Sequence, residues 1–168
     1  RYYRGDYLLA IENLNEIGKN ELKIYENSIY WSSLCKWKIG NSQIASQQLQ
    51  KLLNDTKSKE LKAKCHLSLS EINQELRNIE KMIFHLENAA KFSNNRSQKS
   101  IIYSKLADIA FNKKDYIAAL KGYKKIIANS ISKEKIENAH LQILKIMRLE
   151  KQFENAEKKI KTLLLNDK

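Results

Sequence analysis

Apolar residues recur along this chain at steps of three and four, the spacing that keeps one face of an α-helix turned toward a neighbour. The segment KKDYIAALKGYKKII at 113–127 shows the pattern, because Tyr116, Ala119 and Tyr123 fall on one stripe. A β-rich chain would instead alternate apolar and polar positions between Gly or Pro turns. Here there is no Pro, there are only four Gly, and Ile recurs at helical steps. The pattern predicts an all-α fold.

The same stripe recurs five times at a nearly constant interval. Copies of the segment at 5–10 begin at Gly40, Arg77, Lys114 and Lys151, at steps of 35, 37, 37 and 37 residues. Internal periods of this length are typical of helical repeats. Upstream of each copy lies another helical stretch. Each unit is therefore predicted to be two helices joined by a tight turn at the copy.

These units are expected to form one repeat domain over residues 1–168. Clusters of Asn and Ser separate the units, as expected for loops and helix N-caps. Only four residues precede the first copy, and no polar helix closes the last unit. Since solenoids cover their terminal apolar faces, we expect a fragment of a longer protein, or ends covered by association, including end-to-end self-association. The predicted units span residues 1–19 (incomplete), 21–54, 57–92, 96–129 and 132–165.

The last residue of each copy is small in four of the five units. A small side chain is expected where two helices cross closely, because it lets the backbones approach. Flanking aromatics such as Tyr116 and Tyr123 would fill the space beside the crossing. The five residues at this position are Ala10, Ala45, Met82, Ala119 and Ala156.

Paired helices with Gly-Asp-Tyr-x-x-Ala at the turn resemble the tetratricopeptide repeat family. The best copy is KDYIAALKGY at 114–123, and Tyr103, Leu106 and Ala107 fit the family's first helix. The resemblance covers nearly the whole chain. It implies a right-handed α-solenoid of antiparallel helix pairs, a tetratricopeptide-like superhelix of the bacterial type.

The chain departs from the family pattern at several points. Its period exceeds the usual 34 residues, and the Pro that usually follows the second helix is missing. Ser32 and Lys36 stand in the second unit where the family has apolar groups, and Met82 replaces the Ala of the third unit. These departures predict altered local geometry in units two and three.

The resemblance also implies a concave groove, lined by the first helices, that holds a peptide or a partner helix. One end would be aromatic, the middle would carry Glu71 and Asp108, and the far end would be basic. An extended or helical segment with an apolar anchor and complementary charges would fit. The alternative is that Trp37 and Phe111 close the packing between units. The implied partner-binding residues are Tyr30, Leu34, Trp37, Lys64, Leu67, Glu71, Gln74, Ile101, Ser104, Asp108, Phe111, Asn138, Leu141, Lys145 and Arg148.

Trp31 differs from the other residues in its column. The equivalent positions hold Ser68, Lys105 and Gln142, all polar. Trp31 is therefore expected to be exposed, where it would cover a neighbouring element or anchor a partner.

The three histidines are not expected to form a site. His66 and His140 share a column with Ile29 and Tyr103, which favours packing roles over metal ligation. The column of His85 is otherwise polar or small, which predicts that His85 is exposed. The three side chains are therefore not expected to converge.

The remaining chemistry of the sequence is sparse. Cys35 stands where other units have Ile, and Cys65 lies in a column about two helical turns away, so no disulfide is predicted. There is no Gly-rich phosphate loop, Ser/His/Asp set or paired carboxylate. The chain is not expected to be an enzyme, to bind a metal or to need a cofactor.

The net charge of +12 requires that a polyanionic partner be considered. Most basic residues are Lys, interleaved with Glu, whereas Arg, which suits bidentate phosphate and guanine contacts, is scarce. Nucleic acid is therefore a less favoured partner. No run of 18 apolar residues predicts a membrane span.

The favoured hypothesis is a non-catalytic scaffold that docks a partner protein on its groove. It would belong to a larger bacterial assembly, in the envelope, secretion or motility machinery, in the cytoplasm or periplasm. The first alternative is the sensor or effector-binding arm of a transcriptional or signalling regulator. The second is direct nucleic-acid binding through the Lys-rich outer face.

Overall fold

A computed structural model describes the backbone of residues 1–166 and all of their side chains except those of 153, 154 and 164–166. Over this range all of the regular secondary structure is helical, so the all-α prediction is confirmed. Within residues 1–166, a 3₁₀ turn at Tyr2–Arg4 precedes nine α-helices. These are α1 (Tyr7–Asn15), α2 (Leu22–Lys38), α3 (Ser42–Asp55), α4 (Lys59–Glu75), α5 (Ile79–Phe92), α6 (Arg96–Asn112), α7 (Tyr116–Asn129), α8 (Lys133–Leu149) and α9 (Phe153–Asn166).

The chain divides into two compact units, one comprising Arg1–Ser93 and one beginning at Asn94. In the first unit each helix from α1 to α5 packs on the next along the chain. In the second unit α6 packs on α7, α7 on α8, and α8 on α9. Each predicted range from 21–54 to 132–165 thus contains two helices that meet at the six-residue copy.

The turns within these helix pairs share one backbone hydrogen-bond pattern. Gly40 N–H donates to the carbonyl of Trp37, and Asn41 N–H donates to the carbonyl of Lys36. This is a Schellman motif, which places its turn residue in the left-handed region. Gly40 has a φ of 91°, and Arg77, Lys114 and Lys151 take φ values of 57°, 62° and 58° at the equivalent position. The first residue of each copy is thus the point at which the chain reverses.

The second residue of the copy serves both helices of the pair. Asn78 and Asp115 each close the turn with a backbone N–H, and their side chains then cap the following helix. The Asn78 amide oxygen accepts from Lys81 N–H at 3.1 Å, and an Asp115 carboxylate oxygen accepts from Ala118 N–H at 3.0 Å. At these two positions the side chain satisfies an otherwise unpaired helix N–H, whereas Asn41 at the equivalent position makes no such bond.

The last residue of the copy is buried in the first four units. Ala45 and Ala119 are fully buried, and Met82 occupies the same buried position in the third unit. Leu49, Leu69 and Ile72 belong to the core of the first unit, and the core of the second contains Tyr123, Ile143 and Ile146.

A tight helix approach in the second unit occurs at Gly122, one turn after Ala119. A Cβ on Gly122 would lie 2.7 Å from the Cβ of Ala107 and 3.1 Å from its Cα. Gly122 is buried, and so is His85 at the equivalent position of the preceding pair. The prediction that His85 is exposed is therefore wrong. Gly122 and His85 face the first helix of their own pair, and so does Gln48, whose Oε1 accepts a 3.3 Å hydrogen bond from Ser33 Oγ.

Candidate functional site

The implied aromatic end of the groove belongs mostly to the core of the first unit. Leu34 and Trp37 are buried there. The Trp37 indole donates from Nε1 to Glu75 Oε2 at 2.7 Å, and the Tyr30 hydroxyl is 3.1 Å from Ser68 Oγ. Leu34 and Trp37 therefore stabilise this unit and present little surface to a partner.

The other groove positions of the first unit are more accessible. Glu71 and Gln74 are exposed, and Lys64 and Leu67 are half-buried. Lys64 Nζ forms an ion pair with Glu60 at 2.7 Å, one helical turn earlier. Such an exposed pair contributes little to stability. These positions remain candidates for contact with a partner.

The groove positions of the second unit gather around a cavity of about 400 Å³ between α6, α7 and α8. Ile101, Ser104, Asp108 and Asn138 all line it. Four of the fifteen implied positions thus meet at one concave site, which has a volume typical of ligand pockets.

Three polar groups in the lining give this cavity its chemical character. The Tyr123 hydroxyl donates to Asp108 Oδ1 at 3.0 Å, and burial together with this carboxylate raises the pKa of Tyr123. Ser100 is only 1% exposed, lines the cavity, and has no hydrogen-bond partner for its hydroxyl. A buried hydroxyl without a partner costs free energy, which a ligand atom reaching it would recover.

The mouth of the cavity combines apolar surface with ammonium groups. Ile101 is 46% exposed, and Lys105 and Lys135 also line the site. Sequence reasoning missed these two lysines and Ser100. The helical spacing of Lys135 with Asn138 was an available signal, because positions three apart share a helix face.

The remaining implied residues of the second unit lie outside the cavity lining. Leu141 and Arg148 are exposed, whereas Phe111 is half-buried against the core. Lys145 Nζ lies 5.0 Å from the centre of the Phe111 ring, a cation–π arrangement that covers the ring. Phe111 therefore contributes mainly to packing.

Positive charge is concentrated in the same half of the chain. Residues 94–168 hold 17 of the 31 basic residues and eight of the 19 acidic residues, and so carry nine of the twelve net positive charges. The charge is thus distributed unevenly along the sequence. This imbalance favours acidic partners for the second unit.

The prediction that Trp31 is exposed is wrong. It is half-buried, with its ring centroid 5.0 Å from that of Tyr2, 5.9 Å from Tyr3 and 5.5 Å from Tyr30. The 3₁₀ turn formed by the first residues supplies this cover. Four residues are too few to show a helical period, so the sequence did not reveal the contact.

The expectation that the histidines do not meet is also wrong for one pair. Nδ1 of His66 lies 3.0 Å from Nδ1 of His85, inside the packing between α4 and α5. Phe92 stacks on His66 with ring centroids 5.7 Å apart. Burial, with His85 and Lys62 nearby, lowers the pKa of His66 to about 4, and burial with Lys81 lowers that of His85. One neutral ring donates to the other, so this pair serves packing.

Cys35 and Cys65 are both buried free thiols. Burial raises the pKa of both thiols, to about 12 for Cys65. A protonated, inaccessible thiol is a poor nucleophile and a poor metal ligand. Both residues therefore act as small apolar groups in the packing.

Metal sites and membrane spans are both absent from the part of the chain that the structure describes. No group of three or more His, Cys, Asp or Glu side chains there is arranged to hold a metal ion. None of the helices in that part combines the length and the apolar character needed to cross a bilayer.

No protein-family model, no curated protein and no solved structure matches the chain. A functional assignment therefore depends on the residues and geometry of the cavity between α6, α7 and α8.

Proposed function

We propose that the chain is a non-catalytic docking module, and that the cavity between α6, α7 and α8 holds an acidic segment of a partner protein. The observation that carries this proposal is the convergence of Ile101, Ser104, Asp108 and Asn138 on that cavity. Ile101 offers apolar surface for an anchor, and Lys105 and Lys135 offer charge for flanking carboxylates. Apolar anchors give affinity, and complementary charges give register and faster association.

We further propose a tetratricopeptide-like solenoid as the scaffold of this module. The turn bonds recur at Gly40, Arg77, Lys114 and Lys151, and the first helices of the pairs are equal in length. In a solenoid each repeat packs on the next, so that first helices line one continuous face. The cavity between α6 and α8, two first helices, is compatible with a groove on that face.

The module would bind the acidic segment without changing it covalently. Its apolar side chain would cover Ile101, and a polar atom reaching the floor would pair with the Ser100 hydroxyl. Its carboxylates would lie near Lys105 and Lys135, away from Asp108, which is already bonded to Tyr123. Because these lysines stand at the mouth, their contribution falls as salt concentration rises.

Labelled peptides of matched length test the proposal by fluorescence anisotropy. One carries Glu and Asp around a central Leu, a second replaces the Leu by Ser, and a third replaces the acidic residues by Lys. We expect the first to bind, and each of the others to bind at least about tenfold more weakly, since a buried Leu is worth about 1.5–3 kcal/mol. Similar binding of all three would contradict the proposal.

Two matched variants locate the binding. Ile101→Glu changes the cavity, and Ile117→Glu makes the same change at an exposed position of α7. We expect only Ile101→Glu to weaken binding of the acidic peptide. Equal effects, or an effect of Ile117→Glu alone, would place binding elsewhere and reject the cavity.

A photo-reactive side chain at the same sites would identify the natural partner. Introduced at Ser104, it should capture a partner in the cells that make the protein, whereas at Ile117 it should not. A captured protein of an envelope, secretion or motility complex would support the proposed setting.

One observation favours direct nucleic-acid binding as a second candidate. The exposed side of α7 and the turn before it carry five lysines and one acidic residue, Asp115. Such a surface attracts phosphate backbones without reading their sequence. The lysines concerned are Lys113, Lys114, Lys121, Lys124 and Lys125.

A further inference from the structure

The first unit contains a second, larger cavity, remote in sequence from the proposed docking site. It measures about 780 Å³ and lies between α1, α2 and α3. This volume is within the range of small-molecule pockets, about 300–1,000 Å³. Six of its sixteen lining residues are apolar or aromatic, and the other ten are polar or charged. The apolar wall residues are Leu14, Ile17, Leu22, Tyr25, Ile29 and Leu52.

The cavity follows α2 for about two turns. Tyr25 and Ser32 both line it, and seven helical steps between them correspond to about 10 Å. Because α2 and α3 run antiparallel, Gln48 lies beside the Ser32 end, next to Ser33. The opposite end lies near Glu26, whose carboxylate accepts from the Thr56 hydroxyl at 3.0 Å. The cavity thus has two distinct ends.

Positive charge predominates narrowly in the lining of the cavity as a whole, which carries three lysines and two carboxylates. Lys19 Nζ lies 6.0 Å from the Tyr25 ring centre, and Lys57 follows Thr56 in the chain. Lys51 adds a third ammonium group to the lining, against the carboxylates of Glu26 and Asp55. Three ammonium groups against two carboxylates leave one positive charge in excess, so an anionic group is the better complement to the lining.

The other end contains a buried polar group without a partner. Ser32 is 4% exposed and lines the cavity, and its hydroxyl makes no hydrogen bond. In contrast, the hydroxyls of Ser28 and Ser33 on the same helix bond to backbone carbonyls of Tyr25 and Ile29, at 2.8 Å in each case. Most buried hydroxyls are paired, so the exception at Ser32 indicates a position for a ligand atom.

We propose that this cavity binds a small anionic amphiphile with a hydrogen-bonding group at its far end. The anionic head lies near Lys19 and Lys57, the apolar body packs between Ile17, Ile29 and the neighbouring wall residues, and the terminal group bonds to the Ser32 hydroxyl. The two polar groups of the ligand are about 10 Å apart, the distance between the ends of the cavity. This site is separate from the docking of an acidic segment in the second unit.

Chain-length-matched probes test each part of the proposal by isothermal titration of the full chain, below their micelle concentrations. Decanoate supplies an anionic head and an apolar body, 10-hydroxydecanoate adds a terminal hydroxyl, and decyltrimethylammonium reverses the charge of the head. We expect 10-hydroxydecanoate to bind about three- to tenfold more tightly than decanoate, the gain from one hydrogen bond. Decyltrimethylammonium should bind more weakly than both.

Variants then assign the contacts. Ser32→Ala, which removes a hydroxyl without filling space, should abolish the advantage of the hydroxylated probe while leaving decanoate binding within about twofold. Lys19→Glu combined with Lys57→Glu should weaken decanoate binding by about tenfold or more. Lys121→Glu combined with Lys124→Glu makes the same change of net charge in α7 and should leave decanoate binding unchanged.

Several results would overturn the proposal. These are no measurable binding of either carboxylate, an equal affinity for the three probes, or a hydroxyl advantage that survives in Ser32→Ala. A larger loss of decanoate affinity in the Lys121 and Lys124 variant than in the Lys19 and Lys57 variant would assign decanoate binding to residues 94–168. None of these results depends on the acidic-peptide experiment, so the two sites fail or succeed independently.

Discussion

At the scale of single residues, the His66–His85 pair makes stability depend on pH. Both pKa values are lowered in the folded chain, that of His66 to about 4. Below an unfolded pKa of about 6.5 the unfolded chain takes up protons that the folded chain does not, so stability falls as pH drops toward 4. From pH 7.5 to 5, His66 alone should account for a loss of about 2 kcal/mol. Urea unfolding followed by circular dichroism measures this loss.

The matched variant replaces both rings by Gln, which can still form a hydrogen bond across the helices. Its free energy of unfolding should change by at least about 1 kcal/mol less than that of the natural chain over the same pH interval. His140→Gln, in α8 and outside the pair, serves as the comparison and should reduce the pH dependence less, although burial with Lys159 nearby also lowers the pKa of His140. An unchanged pH slope in the double variant would exclude the pair as its source.

Gly122 supports a second prediction at this scale. Ala is favoured over Gly in a helix by about 1 kcal/mol, yet the added Cβ would lie 2.7 Å from Ala107 Cβ. We expect Gly122→Ala to lower the free energy of unfolding by about 1–2 kcal/mol, because overpacking exceeds the gain in propensity. Chemical denaturation measures the difference.

Two further variants test that explanation. Gly18→Ala places a Cβ where nothing lies within 4 Å and should cause no loss. Ala107→Gly combined with Gly122→Ala should recover part of the loss, because it removes the atom in closest contact. A stabilised Gly122→Ala variant would show that the helices separate at little cost.

The burial of individual side chains was harder to predict from the sequence than the positions of the helices. The period located the buried positions of Ala45 and Ala119 correctly, because burial on a helix repeats with the helix. It failed for His85, where the type of residue suggested exposure although the position faces α4. It failed also for Trp31, whose cover comes from residues outside the period. Burial of polar or aromatic side chains depends on particular neighbours, which spacing alone does not specify.

At the scale of elements, the turn within each helix pair reverses the chain, and at Asn78 and Asp115 it also caps the following helix. The turn residue is left-handed in all cases, yet only Gly5 and Gly40 are Gly there. A non-Gly residue in this conformation costs roughly 1 kcal/mol or more. The turns at Arg77, Lys114 and Lys151 are therefore locally strained.

Replacing Lys114 by Gly should relieve the backbone strain at one of these turns. Lys114→Gly should raise the free energy of unfolding by about 0.5–1 kcal/mol, since Gly adopts a positive φ at no steric cost. Thermal and urea unfolding should both show the gain. Lys113→Gly is the control: Lys113 has a φ of −78°, so Gly there should be neutral or destabilising. Equal effects at the two positions would contradict the assigned cause.

Elements were predicted more closely than side chains. The predicted pair at 21–54 corresponds to Leu22–Lys38 and Ser42–Asp55, because the copied turn fixes where one helix ends and the next begins. The cavity between α6 and α8 was predictable only in part. The family resemblance implied four of its lining residues but not Ser100, whose importance comes from an unpaired hydroxyl.

At the scale of the whole molecule, charge distinguishes the two candidate functions. Residues 94–168 carry nine of the twelve net charges, and both an acidic protein segment and a nucleic acid would be attracted to them. The two ligands should depend on different lysines. The peptide depends on Lys105 and Lys135 in the cavity, and a phosphate backbone on the exposed lysines of α7.

Binding of a DNA duplex of random sequence, measured as a function of salt concentration, separates these two functions. At ~50 mM salt any binding should be weak, and its logarithm should fall steeply with the logarithm of salt concentration, since it arises from counterion release. Lys121→Glu combined with Lys124→Glu should reduce that slope by about 2, one for each lost phosphate contact, and leave the acidic peptide bound. Lys105→Glu combined with Lys135→Glu should leave the salt slope of duplex binding unchanged and weaken binding of the acidic peptide. Duplex binding that persists at ~200 mM salt and is lost in the cavity variant would make nucleic acid the ligand of the cavity and remove the docking proposal.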